Sequence, residues 1–147
     1  MGIAREREQR KQIIAALNEW KSPFATREQQ TKAVQRVFAL VKENPKLHDA
    51  KRNYRDTPLH VAADHGNREI ALWLLDHNAG VNAKGGGEWT PLHGAAREGY
   101  KEVAELSLAK GADVSAKNNK GYTPLDLAKA NKRHEIISLL LKHGAKE

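Results

Sequence analysis

The chain has 147 residues, a formal net charge of +7, only 5% aromatic residues and no cysteine. A length of this order makes one domain, 1–147, and the lack of cysteine excludes disulfides, thiolate nucleophiles and cysteine-ligated zinc while agreeing with a cytoplasmic or other reducing intracellular compartment. The basic excess is uneven, since residues 1–56 carry 13 Lys/Arg against 7 Asp/Glu and residues 57–147 carry 12 against 11.

The first residues, Met1 to Glu6, lack the apolar stretch of a signal peptide. Glu6 stands where a myristoylation motif wants Ser or Thr. No apolar run nears the roughly 18 residues that span a bilayer. Residues 4–20 read as a helix, with Ile13, Ile14, Leu17 and Trp20 on one stripe at helical spacing. Ser22-Pro23 interrupts it. Thr26 with Gln29 three residues later forms a capping box. Ala33, Val34, Val37, Phe38, Leu40 and Val41 give the apolar stripe of the next helix, which ends before Pro45.

From residue 57 the chain repeats. Thr57-Pro58-Leu59-His60 recurs as Thr90-Pro91-Leu92-His93 and again as Thr123-Pro124-Leu125-Asp126, each 33 positions on. Threonine is a helix N-cap, proline suits the first helical position, and the third helical residue can reach back to the cap. Each copy therefore starts a helix. Ala62-Ala63 and Ala95-Ala96 let helices approach closely, and Gly66 and Gly99 supply left-handed stops. Second helices are expected over 69–77, 102–110 and 135–143. A 33-residue unit with T-P-L-H at its front resembles the ankyrin repeat.

That resemblance implies an all-α solenoid of stacked helix-turn-helix units joined by β-turn loops, with an extra N-terminal helix. The units would be 24–56 (divergent, led out by Leu47 to Lys51), 57–89, 90–122 and 123–147 (a C-terminal cap), preceded by the added helix 1–21. Two loops depart from the family pattern, with Arg55 and Glu88 where the third loop has Gly121. A tight turn wants positive φ there, so both side chains should strain or reshape the turn.

Seven histidines invite a metal or catalytic reading. No His-x-x-x-His spacing is present, so no metal or cofactor is expected. His60 and His93 read as capping residues bonded within their own turns. His65, His77, His134 and His143 fall at helix ends, where partial positive charge suits the dipole. Ser107 stands where Leu74 and Leu140 stand in the other units. It reads as a polar substitution bonding back to a helix carbonyl, or else as a nucleophile with His93 or His60 as base. Gly94, at the position of Val61 and Leu127, removes a side chain and would open a small pocket.

The resemblance implies a non-catalytic module whose loop tips and first helices bind another protein. Carried over by position, that face comprises Asn53, Tyr54, Asp56, Asp64, His65, Glu88, Trp89, Arg97, Glu98 and Tyr122. Tyr, Trp and Arg are enriched at interface hot spots, and a Trp89 exposed at a loop tip would want a partner. Other readings stay open. The departures from pattern suit an engineered scaffold, either a binder or a hydrolase using Ser107. The basic N-terminal third suits an anionic surface or RNA, although its interleaved acids favour a solvated face. The expected state is a monomer with a protein partner, no membrane and no nucleic acid.

Overall fold

The computed structural model describes residues 2–20, 22–50 and 56–147. The described residues form eight α-helices and two short 3-10 turns, with no strand. Helices α1 (Gly2–Trp20) and α2 (Arg27–Glu43) lie against one another. The stripe read from the sequence is their seam. Ile13, Ala16, Leu17 and Trp20 of α1 are buried, as are Ala33, Val34, Val37, Phe38, Leu40 and Val41 of α2. The Thr26–Gln29 box opens α2 with both of its bonds made. Asn44 closes α2 and starts the 3-10 turn over Pro45–Asp49. Residues 24–50 thus contain one long helix, and α1 supplies its companion in place of a helix of the same unit.

Three further pairs follow: α3 (Pro58–His65) with α4 (Arg68–Asp76), α5 (Pro91–Glu98) with α6 (Lys101–Ala109), and α7 (Pro124–Ala130) with α8 (His134–Lys142). Each begins at the predicted threonine with proline in its first turn. Gly66 and Gly99 close α3 and α5 at φ 67° and 84°. The alanines leave space for contact. Ala62, Ala63, Ala71, Ala95, Ala96 and Ala104 are all fully buried, and α3, α5 and α7 stack as one row while α4, α6 and α8 stack as a second.

The second helices start one residue earlier than expected and end one earlier, at Asp76, Ala109 and Lys142. His77 and His143 are C-caps, each turning its Nδ1–H onto a carbonyl of its own last turn, Trp73 at 2.7 Å and Leu139 at 2.9 Å. His134 corrects the dipole reading. It is the first residue of α8, the end at which positive charge is disfavoured.

Side chains also join one pair to the next. The backbone N–H of Thr57 donates to His60 Nδ1, and that of Thr90 to His93 Nδ1, both at 3.0 Å. An N–H only donates, so each Nδ1 is bare and each Nε2 carries the proton. His60 Nε2–H donates to the Trp89 carbonyl and His93 Nε2–H to the Tyr122 carbonyl, both at 2.9 Å. These rings therefore do more than cap their own turns, because each pins the loop that leads into the next helix pair. Tyr100 rests on Gly66 and Arg133 on Gly99, where any Cβ would meet them. The ladder changes at α7. Asp126 replaces the histidine and caps only Thr123, and Lys129 replaces the buried Ala63 and Ala96.

Candidate protein-binding face

The eight sequence-selected residues among those described fall on α3 and α5 or at the ends of the loops that lead into α3, α5 and α7. The loop before α5 is shaped by backbone needs. Gly87 and Glu88 both sit at positive φ, 65° and 59°. The strain expected at Glu88 is present, and Gly87 shares the turn. Gly85 is packed so closely that a Cβ would strike Asp56 and His60. The loop before α7 is pinned by Asn118, whose Oδ1 accepts from the N–H groups of Lys120 and Tyr122, both at 3.0 Å. Asn119 N–H donates to the Gly87 carbonyl at 2.9 Å and so ties the two loops together.

Trp89, Arg97 and Glu98 meet on this framework. The Arg97 guanidinium lies 5.0 Å from the centre of the Trp89 ring. Its Nε–H donates to Glu98 Oε1 at 2.9 Å. The Trp89 ring is also tilted against the His93 ring, their centres 5.7 Å apart. Trp89 is therefore half-buried, lying against Arg97 and His93 of α5. Cation–π contact and an ion pair hold Arg97 from two sides. Tyr122, in the equivalent position of the next loop, is 49% exposed, and Glu88 is exposed.

Three expected members play other parts. Asp56 is 3% exposed, and its Oδ1 accepts from Gly86 N–H at 2.9 Å, so it joins successive loops instead of facing solvent. Asp64 is half-buried and fills the space that Gly94 leaves, where a Cβ would meet its carboxylate. Gly94 is buried, and Asp64 stands where its side chain would be. His65 is turned towards α1, accepting the indole N–H of Trp20. Asn53, Tyr54 and Arg55 lie outside the described residues. Sequence reasoning missed Leu127 and Ala130, which line a cavity of about 440 Å³ beside Tyr122. Their signal was positional, since Ala130 stands on α7 where Arg97 stands on α5.

Burial decides the chemistry of two other candidates. Ser107 is 0% exposed and its hydroxyl donates to the Val103 carbonyl at 2.8 Å. Among the described residues that is the bond its oxygen makes, and its partner is not a histidine. His93 is 0% exposed, and its pKa is pushed below the ordinary histidine value by burial, which outweighs the raising effect of the Tyr122 and Ala116 carbonyls. In the N-terminal third, Arg5 pairs with Glu43, Arg10 with Glu6 and Asp49, Lys32 with Glu28, and Arg36 with Glu19. Among the described residues no helix is long and apolar enough to cross a membrane, and no group of three or more His, Asp or Glu is placed to hold a metal.

Comparison with known families agrees with the repeat geometry. A family model described as ankyrin repeats in many copies matches residues 40–95, and one described as ankyrin repeats in three copies matches residues 80–147. A search of curated proteins finds no match. The matches begin at the end of α2 and run through every threonine-capped pair, so the chain belongs to the ankyrin-repeat family.

Proposed function

We propose that this protein is a non-catalytic module that binds a partner protein on the side formed by its loop tips and by α3, α5 and α7. Ankyrin repeats are generally protein–protein interaction modules. The observation that carries the reading here is Arg97, laid on Trp89 and clamped by Glu98, with Tyr122 half-exposed on the next loop. Side chains already held in place lose little conformational entropy on binding. Glu88, Arg97, Glu98 and Tyr122 make the contacting set. Trp89 supports it from beneath, and Asp56 and Asp64 position it. The internal bond of the buried Ser107 speaks against hydrolysis at that residue. The ion pairs along α1 and α2 leave less positive charge for RNA or an anionic surface.

A capture experiment tests this. Immobilised wild-type chain is compared in cell lysate with the Trp89→Ala/Arg97→Ala double variant. A protein retained by the wild type and lost from a folded double variant supports the face. Identical captures, or none, reject it.

A further inference from the structure

The partner's chemistry can be taken one step further, on the footing that the proposed face is the binding face. The chain builds one arrangement of side chains at α5 and leaves part of it out at α7. At α5 the Arg97 guanidinium lies 5.0 Å from the centre of the Trp89 ring. In the 33-residue register Tyr122 keeps that ring, but Ala130 stands where Arg97 stands. Trp89 is half-buried, whereas Tyr122 is 49% exposed. Tyr122, Asp126, Leu127 and Ala130 all line one cavity of about 440 Å³. The space that a guanidinium fills beside Trp89 is thus open beside Tyr122.

The counter-charge is kept too, at another position. Glu98 holds Arg97, and its equivalent on α7 is the neutral Asn131. A carboxylate, Asp126, instead takes the place of His93 and lines the cavity. Its Oδ2 accepts from Thr123 N–H at 2.9 Å, and its Oδ1 makes no bond among the described residues. Lys120 also lines the cavity and makes no ion pair among the described residues. One carboxylate and one ammonium leave the lining neutral, so a cation is selected here by the ring and by one oxygen rather than by the net field. A guanidinium suits both, since its plane stacks on an aromatic face while its edge donates to a carboxylate.

We propose that this cavity takes an arginine side chain of the partner protein, its guanidinium stacked on Tyr122 and its edge on Asp126 Oδ1. The methylenes of that arginine pack on Leu127 and Ala130. The partner thereby supplies to Tyr122 the group that Arg97 supplies to Trp89 within the chain.

The test is a selection of phage-displayed random 12-residue peptides on the wild-type chain. The enriched sequences are then synthesised with arginine, lysine or citrulline, the uncharged isostere of arginine, at the enriched position. Binding is measured to wild type, Asp126→Asn, Ala130→Arg, Lys120→Gln and the Trp89→Ala/Arg97→Ala double variant, each checked for a cooperative thermal melt. Asp126→Asn keeps an oxygen for Thr123 N–H and loses only the charge. The expected result is enrichment of arginine. Citrulline in its place weakens binding to wild type by about tenfold and lysine by about threefold, the loss of a charge-assisted bond with its ring contact and of the flat stack alone. In Asp126→Asn the citrulline penalty falls below about threefold. Ala130→Arg places the chain's own guanidinium in the cavity, so it weakens the arginine peptide by at least about tenfold without lowering the melt. Lys120→Gln removes a like charge and tightens binding. Peptides lost from the double variant but without an arginine preference, or with the same preference in Ala130→Arg and Asp126→Asn, overturn this inference and leave the binding face standing. Peptides indifferent to every variant, or no enrichment, overturn both.

Discussion

Single residues in this chain are explained by what their atoms meet. Glu88 is a side-chain residue at φ 59°, a region that costs a non-glycine residue about 1 kcal/mol. Glu88→Gly is therefore expected to raise stability by up to about 1 kcal/mol, read as a higher urea midpoint at unchanged slope. A lower midpoint would mean that the Glu88 side chain stabilises the loop by a contact of its own. Ser107 gives the opposite lesson. Leucine at its position in the other units buries more apolar surface, worth roughly 2 kcal/mol or more, yet the hydroxyl is satisfied by the Val103 carbonyl. Ser107→Ala removes donor and need together, so stability should change by less than about 1 kcal/mol. Ester hydrolysis by the purified chain should not change, and a loss of hydrolysis in that variant would reopen the nucleophile reading.

The elements are joined by a few named side chains. His93 accepts from Thr90 N–H and donates to the Tyr122 carbonyl. His93→Ala leaves the buried Thr90 N–H without its acceptor, removes one of the two donors to the Tyr122 carbonyl (Asn118 N–H remains) and adds a cavity, a loss of about 3 kcal/mol by denaturant unfolding. Asp126 occupies the same place on α7 and bonds only Thr123. Asp126→Ala should cost no more than a lost cap, about 1 kcal/mol. Equal losses at the two sites would remove the inter-unit role of the histidine. The α1–α2 seam is the other joint. Leu17 is fully buried there, and Leu17→Ala is expected to cost about 3 kcal/mol, measured in the same way.

At the scale of the whole molecule the stack has a pH dependence with a definite sign. His93 has a folded pKa below the unfolded value of 6.5 because burial penalises its charged form. Its contribution is complete above pH 6.5 and declines as pH falls from there towards the folded pKa, since the unfolded chain takes up the proton first. One such group gives a slope of at most about 1.4 kcal/mol per pH unit. Urea midpoints between pH 7.5 and 5 should fall, and His93→Gln should flatten the decline. A wild-type midpoint independent of pH would show that the ring is not held neutral. The surface ion pairs of α1 and α2 add little, because exposed pairs contribute less than about 1 kcal/mol each.

The sequence by itself determined the local structure. The threonine caps, the proline after each cap, the glycine stops and the stripe of Ile13, Leu17 and Trp20 all act through neighbours within a turn or two, and each stands where its chemistry placed it. The 33-residue spacing also carried the stacking, because equal units present equal faces. Only the tertiary structure decided the roles of groups whose partners lie one unit away. Asp56 reaches Gly86, Asp64 fills the space above Gly94, and His65 turns to Trp20. Burial and hydrogen bonding at those positions depend on the distance between stacked units, which periodicity within the chain does not contain.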